Sequence, residues 1–484
     1  MNIIFIMIDT MRYDFIGANG ATAVDTPNID RLAEQSWIYD RAFCASFPTI
    51  PCRNDVMTGL YGGPFHPWKP LSFDARTFPA MLGEAGYATQ LIHDTPHLVN
   101  GGHNFDWPFH AWTFVRGAEV DRPWITDSES WPPNWRRDDL FECLGEEGLH
   151  TLHTRSYAPA NRHRKDHSDW NCYRLFETAS EFVRDNKNRD NFFLYIDCFD
   201  PHEPWDAPPE FMRRYNKTPE YDGLVDPRSL YWQRNDPRLS DEARAMMAAQ
   251  YPAKVAWMDH CFGRLMDTLE STGVLENSAV IFTGDHGTNV GERNFFGKGA
   301  PVHEQEGHVP LFIRTPDAES GRTNTIVQPQ DFFPTILSLA GQDVPDDLDG
   351  RDVLALARSG GEGRSIALAG PAAHTWKSTG DDDTPPILFT AFTDQWVLEV
   401  GQRPETSRLT RLGSQEYIED QFPDVVKCIH SEAIEEIGRR EIDPKLYTWL
   451  REGKGEIPAD CSYWTGWPGQ PGFHPYFRDI YTGK

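Results

Sequence analysis

Residues 279–287 read A-V-I-F-T-G-D-H-G, an apolar run that ends in an acidic residue and a histidine. A second apolar run, I-I-F-I-M-I at residues 3–8, is followed by Asp9. In open α/β sheets, ligands bind at the carboxyl ends of the strands. The two runs therefore predict strands whose ends bring Asp9, Asp285 and His286 together as a metal site.

A third segment, P-T-I-P-C-R-N-D-V-M-T-G at residues 48–59, offers a hydroxyl group at Thr49 and a guanidinium group at Arg53. A hydroxyl group beside a metal ion loses its proton more readily and becomes a nucleophile. The three segments together predict a metal-activated nucleophile. Two simpler interpretations remain, because Thr49 also suits the N-cap of a helix and Arg53 could form a surface salt bridge.

The rest of the chain alternates apolar runs with helical patterns. We predict helices at residues 26–34, 80–85, 172–186 and 255–269, and strands at 3–8, 88–92, 192–196 and 279–282. Strands that alternate with helices indicate a mostly parallel sheet covered on both faces. The predicted fold class is therefore α/β, with a large mostly parallel sheet sandwiched by helices.

Residues 100–170 are crowded with Trp, His, Pro and Arg and show little periodicity. We predict long loops there, because segments without a hydrophobic period rarely form regular elements. Trp107, Trp112 and Trp124 would either line a substrate mouth or pack in the core.

A Gly/Ser stretch at residues 359–364 predicts a domain boundary near residue 360. Residues 1–360 would form the larger domain, and residues 361–484 a smaller C-terminal α+β subdomain. In the subdomain we predict paired strands at 387–393 and 396–400 and helices at 433–442 and 444–451. The aromatic tail at 461–484 would wrap over the larger domain.

The 484 residues include 46 Lys and Arg against 73 Asp and Glu, for a net charge of −27. Nucleic acids and anionic membranes attract basic surfaces, so neither is an expected partner. A small anionic substrate would need a local cationic pocket. A homo-oligomer stays open.

The cysteines and the N-terminal run bear on localisation. The eight cysteines form no C-x-x-C pair, and we expect free thiols, as in a reducing cytosol. The apolar run at 3–8 is too short for a signal peptide and lacks a basic flank. No run approaches the roughly 18 apolar residues that span a bilayer. We therefore expect a cytoplasmic protein without a membrane span.

Over residues 1–355 the chain resembles the sulfatase branch of the alkaline phosphatase superfamily. The segments that carry the resemblance are I-D-T-M-R-Y-D at 8–14, T-P-N-I-D-R-L-A at 26–33, P-T-I-P-C-R and T-G within 48–59, A-G-Y-A-T at 85–89, D-P-H-E-P-W at 200–205, T-G-D-H-G at 283–287, G-K-G at 297–299, H-V-P-L-F-I-R at 308–314 and D-G-R-D at 349–352. The resemblance implies an alkaline phosphatase-like fold and a metal-dependent ester hydrolase.

The nucleophile segment departs from the sulfatase pattern. That pattern resembles C-x-P-S-R, and its first residue, Cys or Ser, is converted to formylglycine. Here Thr49 holds the first position and cannot be converted, so we predict no formylglycine. A sulfated Thr must be attacked at sulfur, whereas a phosphorylated Thr can be hydrolysed by in-line attack of water. Thr49 therefore favours phosphoryl transfer, as in the similar phosphonate monoester hydrolases and phosphodiesterases.

The resemblance also implies the metal ligands, which are Asp9, Thr49, Asp285 and His286. A histidine nitrogen among oxygen ligands favours Mn²⁺ or Zn²⁺, with Ca²⁺ and Mg²⁺ as alternatives. Thr10 stands where the family often has a further acidic or amide ligand.

Three residues are implied to act on the substrate. Arg53 would hold the nucleophile loop or the transferred group. His202, in D-P-H-E-P-W, would contact the leaving group as a general acid, although a lone histidine is often structural. Lys298, in G-K-G, would neutralise a nonbridging oxygen, unless it is a solvated loop residue.

Other positions are candidates for substrate or second-metal contacts. The second Lys motif of sulfatases is replaced by H-D-T-P-H at 93–97, which puts His97 forward as such a contact. Asp200, His202, His303 and His308 could complete a second metal site, as in two-metal relatives.

These residues predict a metal-dependent hydrolase that cleaves a phosphodiester or phosphonate monoester through a phospho-Thr49 intermediate. One alternative is a sulfuric ester hydrolase that works without formylglycine. The other is a catalytically silent binding protein with the same fold.

Overall fold

An eight-stranded sheet lies at the centre of the computed structural model. The structure describes residues 1–62, 69–99, 102–119, 121, 133–135, 157, 159–217, 222–225, 240–299, 301–370 and 387–439. The strands of the large sheet, given in spatial order, are β10 (Gly321–Val327), β2 (Trp37–Ala42), β9 (Leu311–Arg314), β6 (Ser278–Gly284), β1 (Asn2–Ile8), β5 (Phe192–Cys198), β3 (Ala88–His93) and β4 (Ala111–Phe114). All neighbouring pairs are parallel except those of β9, which runs antiparallel to β2 and β6. Two short strands, β7 (Asn289–Val290) and β8 (Phe296–Gly297), form a separate antiparallel pair.

The three central strands determine where the site forms. β1, β5 and β6 are buried along their whole lengths, as expected for strands covered on both faces. Ile8 of β1 pairs with Cys198 of β5 and with Gly284 of β6. This register places the residues that follow β1 and β6, Asp9 and Asp285, side by side at the carboxyl edge of the sheet.

Helices cover both faces of this sheet, and the last helix, α10 (Pro423–Gly438), packs on a smaller sheet instead. Their bounds are α1 (Pro27–Ala33), α2 (Thr49–Thr58), α3 (Phe78–Glu84), α4 (Asn171–Asp185), α5 (Pro209–Tyr215), α6 (Asp241–Ser271), α7 (Glu304–Gly307), α8 (Phe332–Leu339), α9 (Val353–Ser359) and α10 (Pro423–Gly438). Alternate residues of β1 face opposite cores: Ile4, Ile6 and Ile8 share one with α4 and α6, while Ile3, Phe5 and Met7 share the other with α2, α3, α8 and α9.

A smaller antiparallel sheet lies C-terminal to the large one. Its strands, in spatial order, are β11 (Ala367–Ala369), β12 (Ile387–Phe392), β13 (Trp396–Gly401) and β14 (Arg408–Arg411). The predicted strands at 387–393 and 396–400 do pair with one another. The strands of the smaller sheet share a hydrophobic cluster with α10. The α/β fold class with a smaller C-terminal α+β part is thereby confirmed; the boundary near residue 360 stays a prediction.

Several local predictions differ from the structure. Residues 100–170 were expected to be loops, but residues 111–114 form edge strand β4, parallel to β3. The sequence signal is weak because Ala111, Trp112 and Thr113 are exposed, so β4 lacks the usual alternation. Trp107 packs against the core while Trp112 is 47% exposed, and Trp124 lies outside the described residues.

The long helix α6 begins well before the predicted start at residue 255. Pro252 lies inside it, and a proline costs one backbone hydrogen bond there. The helix continues because its flanking residues are buried against the sheet and α4. The helix expected at 433–442 is α10, which begins ten residues earlier with a proline in its first turn. The predicted helix at 444–451 and the tail at 461–484 lie outside the described residues.

Two further observations concern the helices and the cysteines. Among the described residues, no helix combines the length and the apolarity that a membrane span requires. The described cysteines are all free thiols, and all of them except Cys428 are buried.

Candidate active site

Asp9, Asp285 and His286 meet at the carboxyl edge of the sheet. One potential ligand atom from each residue lies within 4.8 Å of the others, and all three side chains are buried. The Nδ1 atom of His286 lies 2.9 Å from the carbonyl oxygen of Gly287. That hydrogen bond assigns the ring proton to Nδ1 and leaves the Nε2 lone pair available.

This Nε2 atom is the observation that a cation best explains. It is buried, lacks a hydrogen-bond partner, and lies 3.5 Å from Asp285 Oδ2 and 3.9 Å from Asp9 Oδ1. Burial lowers the pKa of His286 to about 4, so the imidazole is neutral near pH 7. A neutral nitrogen beside two carboxylates is a donor set that fits a divalent metal ion.

Thr10 orients both carboxylates. Its backbone N–H donates to Asp285 Oδ1 at 2.9 Å, and its hydroxyl group donates to Asp9 Oδ1 at 2.7 Å. Thr10 adopts φ 63°, in the left-handed region, where a β-branched residue is strained. Tyr251 of α6 supports this conformation, because its hydroxyl group donates to the Thr10 carbonyl at 2.7 Å.

Arg53 connects the nucleophile segment to Asp9, Asp285 and His286, which together form the metal-ligand cluster. It donates to both oxygens of Asp197 at 2.8 Å, to Asp285 at 2.6 Å and to Asp9 at 3.2 Å. A further bond of 3.0 Å joins it to the carbonyl oxygen of Thr49. The guanidinium is 0% exposed, so the surface salt bridge considered for Arg53 is wrong.

The charges around Arg53 do not balance. Three buried carboxylates, from Asp9, Asp197 and Asp285, contact one guanidinium, which leaves an excess of two negative charges. Burial and the charge of Asp285 raise the pKa of Asp9. Burying uncompensated charge is costly, and a divalent cation would supply the missing positive charge. Asp197 was not identified from the sequence, although a carboxylate inside the run F-F-L-Y-I-D-C at 192–198 signals a buried partner.

Thr49 is the first residue of α2. The N-cap position belongs to Pro48, so the interpretation of Thr49 as an N-cap is wrong. Residues next to Thr49 contact the metal ligands that follow β6. The ring centroids of Phe47 and His286 lie 4.9 Å apart, and Cys52 Sγ donates to the carbonyl oxygen of Asp285 at 3.6 Å. Thr49 itself is 3% exposed.

His202 and Lys298 meet in a second buried cluster. Lys298 Nζ lies 2.6 Å from His202 Nε2 and donates to Glu203 Oε2 at 2.9 Å. Burial opposes the charge on Lys298, but the carboxylates of Glu203, Asp9 and Glu119 together outweigh this effect and raise the lysine pKa. Burial and Lys298 together lower the pKa of His202. The extra proton of the pair therefore resides on Lys298, which is 4% exposed and is not a solvated loop residue.

Glu203 and Glu119 complete this cluster and were missed from the sequence. Glu203 also accepts from the hydroxyl group of Thr288 at 3.1 Å, two residues beyond His286. Glu119 Oε2 lies 3.4 Å from His202 Nδ1. Glu203 is part of D-P-H-E-P-W and could have been found as an acidic neighbour of His202. Glu119 had no such signal.

The other candidates lie apart from the metal-ligand cluster. The ring centroids of His97 and Phe199 lie 5.8 Å apart, and Phe199 in turn stacks on His202. Asp200 pairs with Lys254 at 3.0 Å. His303 pairs with Glu399, and His308 stacks on Tyr13. Within the described part of the chain, Asp9, Asp285 and His286 are the one group of three close metal-ligating side chains, so a second metal site is not supported there.

The family model described as Sulfatase matches residues 1–342. The chain belongs to the sulfatase family. It is therefore a hydrolase of the alkaline phosphatase superfamily that acts on ester bonds, which sets aside the interpretation as a catalytically silent protein. The superfamily uses divalent metal ions, in agreement with the donor set at the sheet edge.

Similar proteins include enzymes for both sulfur and phosphorus esters. The chain is 26% identical to an arylsulfatase of Clostridium perfringens over 385 residues, which cover 72% of this chain and 76% of that one. It is 24% identical over 412 residues to PehA, a multifunctional alkaline phosphatase superfamily protein of Trinickia caryophylli. This match covers 74% of this chain and 77% of PehA. The solved structure of a phosphonate monoester hydrolase from Silicibacter pomeroyi matches 92% of this chain and 96% of its own, with a TM-score of 0.63. The sequence identity is 18%, so this similarity concerns the fold alone.

Proposed function

We propose that this sulfatase-family protein hydrolyses a small anionic phosphodiester or phosphonate monoester, with Thr49 as the nucleophile. The observation that carries the proposal is the position of Thr49. It begins α2, and Arg53 of the same helix bonds both to the Thr49 carbonyl and to Asp285 and Asp9. These contacts, made through the Thr49 backbone, support a role for its hydroxyl group beside the metal-ligand cluster.

Asp9, Asp285, His286 and Thr49 would hold the metal, and the nitrogen ligand favours Mn²⁺ or Zn²⁺. A bound divalent ion would lower the pKa of the Thr49 hydroxyl group and neutralise charge on the phosphorus oxygens. Arg53 orients the two carboxylates, and Asp197 holds the guanidinium through a bidentate pair, the geometry that restricts an arginine most strongly.

The first step forms a bond between the Thr49 oxygen and phosphorus and breaks the bond from phosphorus to the leaving-group oxygen. Thr49 reacts as its alkoxide, and its place at the start of a helix favours the negative charge. The Lys298 and His202 pair supplies one proton to the departing oxygen through His202. In the second step, water attacks phosphorus, Thr49 leaves as alkoxide, and the pair regains its proton from that water.

The preference for phosphorus follows from how the intermediate breaks down. A sulfated hydrate of formylglycine can expel sulfate by collapsing to the aldehyde, but a threonine ester has no such route. Hydrolysis at phosphorus by an in-line water needs only positioning and charge neutralisation. The arylsulfatase relative favours a second candidate, a sulfuric ester hydrolase that works without formylglycine.

One panel of assays separates these functions. The purified protein is incubated with aryl esters of phosphonic, phosphodiester, phosphomonoester and sulfuric acid, each with Mn²⁺, Zn²⁺, Ca²⁺ or Mg²⁺. We expect the phosphonate or phosphodiester to give the highest kcat/KM, with Mn²⁺ or Zn²⁺ as the best ion. Faster turnover of the sulfate ester than of every phosphorus ester would replace the proposal by the second candidate.

We also propose a cytoplasmic location. Buried free thiols such as Cys172, Cys198 and Cys261 are typical of reducing compartments. Fractionation of the source cells with an antibody to the protein tests this, and recovery outside the cytosol would contradict it.

A further inference from the structure

A buried lysine outside the site anchors both ends of the loop that carries His202. Lys254 of α6 is 1% exposed. Its Nζ atom lies 3.0 Å from Asp200 Oδ1, 3.1 Å from Asp206 Oδ1 and 3.0 Å from the Asp206 carbonyl oxygen. Asp200 and Asp206 begin and end the segment D-P-H-E-P-W-D. One ammonium group therefore ties the two ends of this segment together.

Between these two aspartates lie the groups that face Lys298. His202 Nε2 is 2.6 Å from Lys298 Nζ, and Glu203 Oε2 is 2.9 Å from the same atom. Arg164 and Tyr157 also bind Asp206, at 2.6 Å and 2.7 Å. Among the described ion pairs, however, only Lys254 contacts both Asp200 and Asp206.

We propose that Lys254 is a positioning residue for proton donation to the leaving group. It acts through His202, because its ammonium group joins Asp200 to Asp206 and so fixes the loop on which His202 stands. The inference rests on the proposed function, in which His202 delivers that proton. A displacement of about 1 Å at a reacting group can cost roughly 100-fold in rate. The metal ligands lie on other segments, and the polar contacts described for Lys254 go to Asp200 and Asp206.

The test uses two esters of one phosphonic acid, a nitrophenyl ester with a good leaving group and an alkyl ester with a poor one. Only the alkyl ester needs a proton in the transition state. We expect Lys254→Met to lower kcat/KM for the alkyl ester roughly 10- to 100-fold, mainly through kcat. The nitrophenyl ester should change by less than about twofold. Lys254→Arg should recover part of the loss.

Two comparisons keep the interpretation specific. Asp267→Asn is the matched control, because Asp267 is on the same helix but pairs with Arg31 at the surface; it should leave both esters unchanged. In a His202→Ala background, Lys254→Met should reduce alkyl-ester turnover by no more than about a further twofold, since residues that act through one group are not additive.

The outcomes separate the inference from the proposed function. Equal losses on both esters, or a full additional loss in the His202→Ala background, would overturn the role of Lys254. If His202→Ala itself affects both esters equally, the proposed proton donor is wrong and the inference falls with it. If Lys254→Met gives no cooperative melting transition, the charge-balanced Asp200→Asn/Lys254→Met protein is assayed instead, with the same expected results and the same refutation.

Discussion

Replacing Asp285 by asparagine tests the metal centre with little change of shape. The new amide would keep an acceptor for the Thr10 N–H, now 2.9 Å from Asp285 Oδ1. The substitution would remove one of the negative charges that face the cation and the 2.6 Å ion pair with Arg53. We therefore expect Asp285→Asn to fold and to bind divalent ions far more weakly.

The size of the effect follows from ligand linkage. An ion that binds only the folded protein stabilises it by about 2.7 kcal/mol at a concentration 100 times Kd and by about 4.1 kcal/mol at 1,000 times Kd. For a chain of 484 residues, that corresponds to a rise in Tm of roughly 3–4 °C. After treatment with a chelator, adding Mn²⁺ or Zn²⁺ should produce this rise in the unmodified protein and almost none in Asp285→Asn.

The assay is thermal unfolding followed by intrinsic fluorescence, with and without the ion. Asp55→Asn is the control, because Asp55 is also a buried aspartate but accepts hydrogen bonds from the Ser46 and Gly62 N–H groups at 3.0 Å and 2.8 Å, away from the metal-ligand cluster. It should keep the full rise. The reasoning is refuted if Asp285→Asn keeps the same rise at the same ion concentration.

Three further predictions concern pH, modification and substrate affinity. Burial lowers the pKa of His93 to about 4, so the neutral form of His93 contributes stability that is present above about pH 6.5 and lost as the pH falls. This contribution is about 2 kcal/mol between pH 7 and pH 5, and in urea unfolding His93→Gln should show a pH-dependent loss that is smaller by this amount than that of the unmodified protein. The intact mass should show no conversion of Cys44 or Cys52 to an aldehyde, and co-expression with a formylglycine-generating enzyme should leave activity unchanged; activation would contradict the prediction. Glu203 Oε2 lies 2.9 Å from Lys298 Nζ and competes with an anionic substrate for this cation. Glu203→Gln should therefore lower KM roughly tenfold, which is about 1.4 kcal/mol of binding free energy. A higher KM would show that Glu203 instead positions Lys298.

Much of the fold could be predicted because the central strands are short apolar runs without a helical period. Buried parallel strands have this composition, and β1 and β6 both end directly before a residue of the metal-ligand cluster. Strand β4 could not be predicted, because an exposed edge strand carries no hydrophobic signal. The start of α6 was predicted too late, at residue 255, because Pro252 favours a helix end. In the structure the burial of α6 outweighs the local cost of this proline.

The metal-ligand cluster could be predicted from the residue pattern because its side chains stand directly after apolar strand runs. Asp9, Asp285 and His286 met this condition. Asp197 and Lys254 did not, because their roles depend on partners far away in the chain, Arg53 and the Asp200–Asp206 pair. Conversely, His303 and His308 followed the metal motif closely in the sequence but bond to other partners. His303 pairs with Glu399 of β13 in the small sheet, and His308 bonds to the carbonyl oxygen of Asp40 in β2. Proximity in sequence did not imply proximity to the metal-ligand cluster.

The most direct test of the central claim is the site of the covalent intermediate. The enzyme is mixed with a phosphonate ester, quenched in acid during turnover and digested for peptide mapping by mass spectrometry. We predict a phosphonyl group on Thr49, and a Thr49→Ala protein that carries no label and turns over at least roughly 1,000-fold more slowly. A label on another residue, or no label together with retained turnover in Thr49→Ala, would contradict the assignment of Thr49 as the nucleophile.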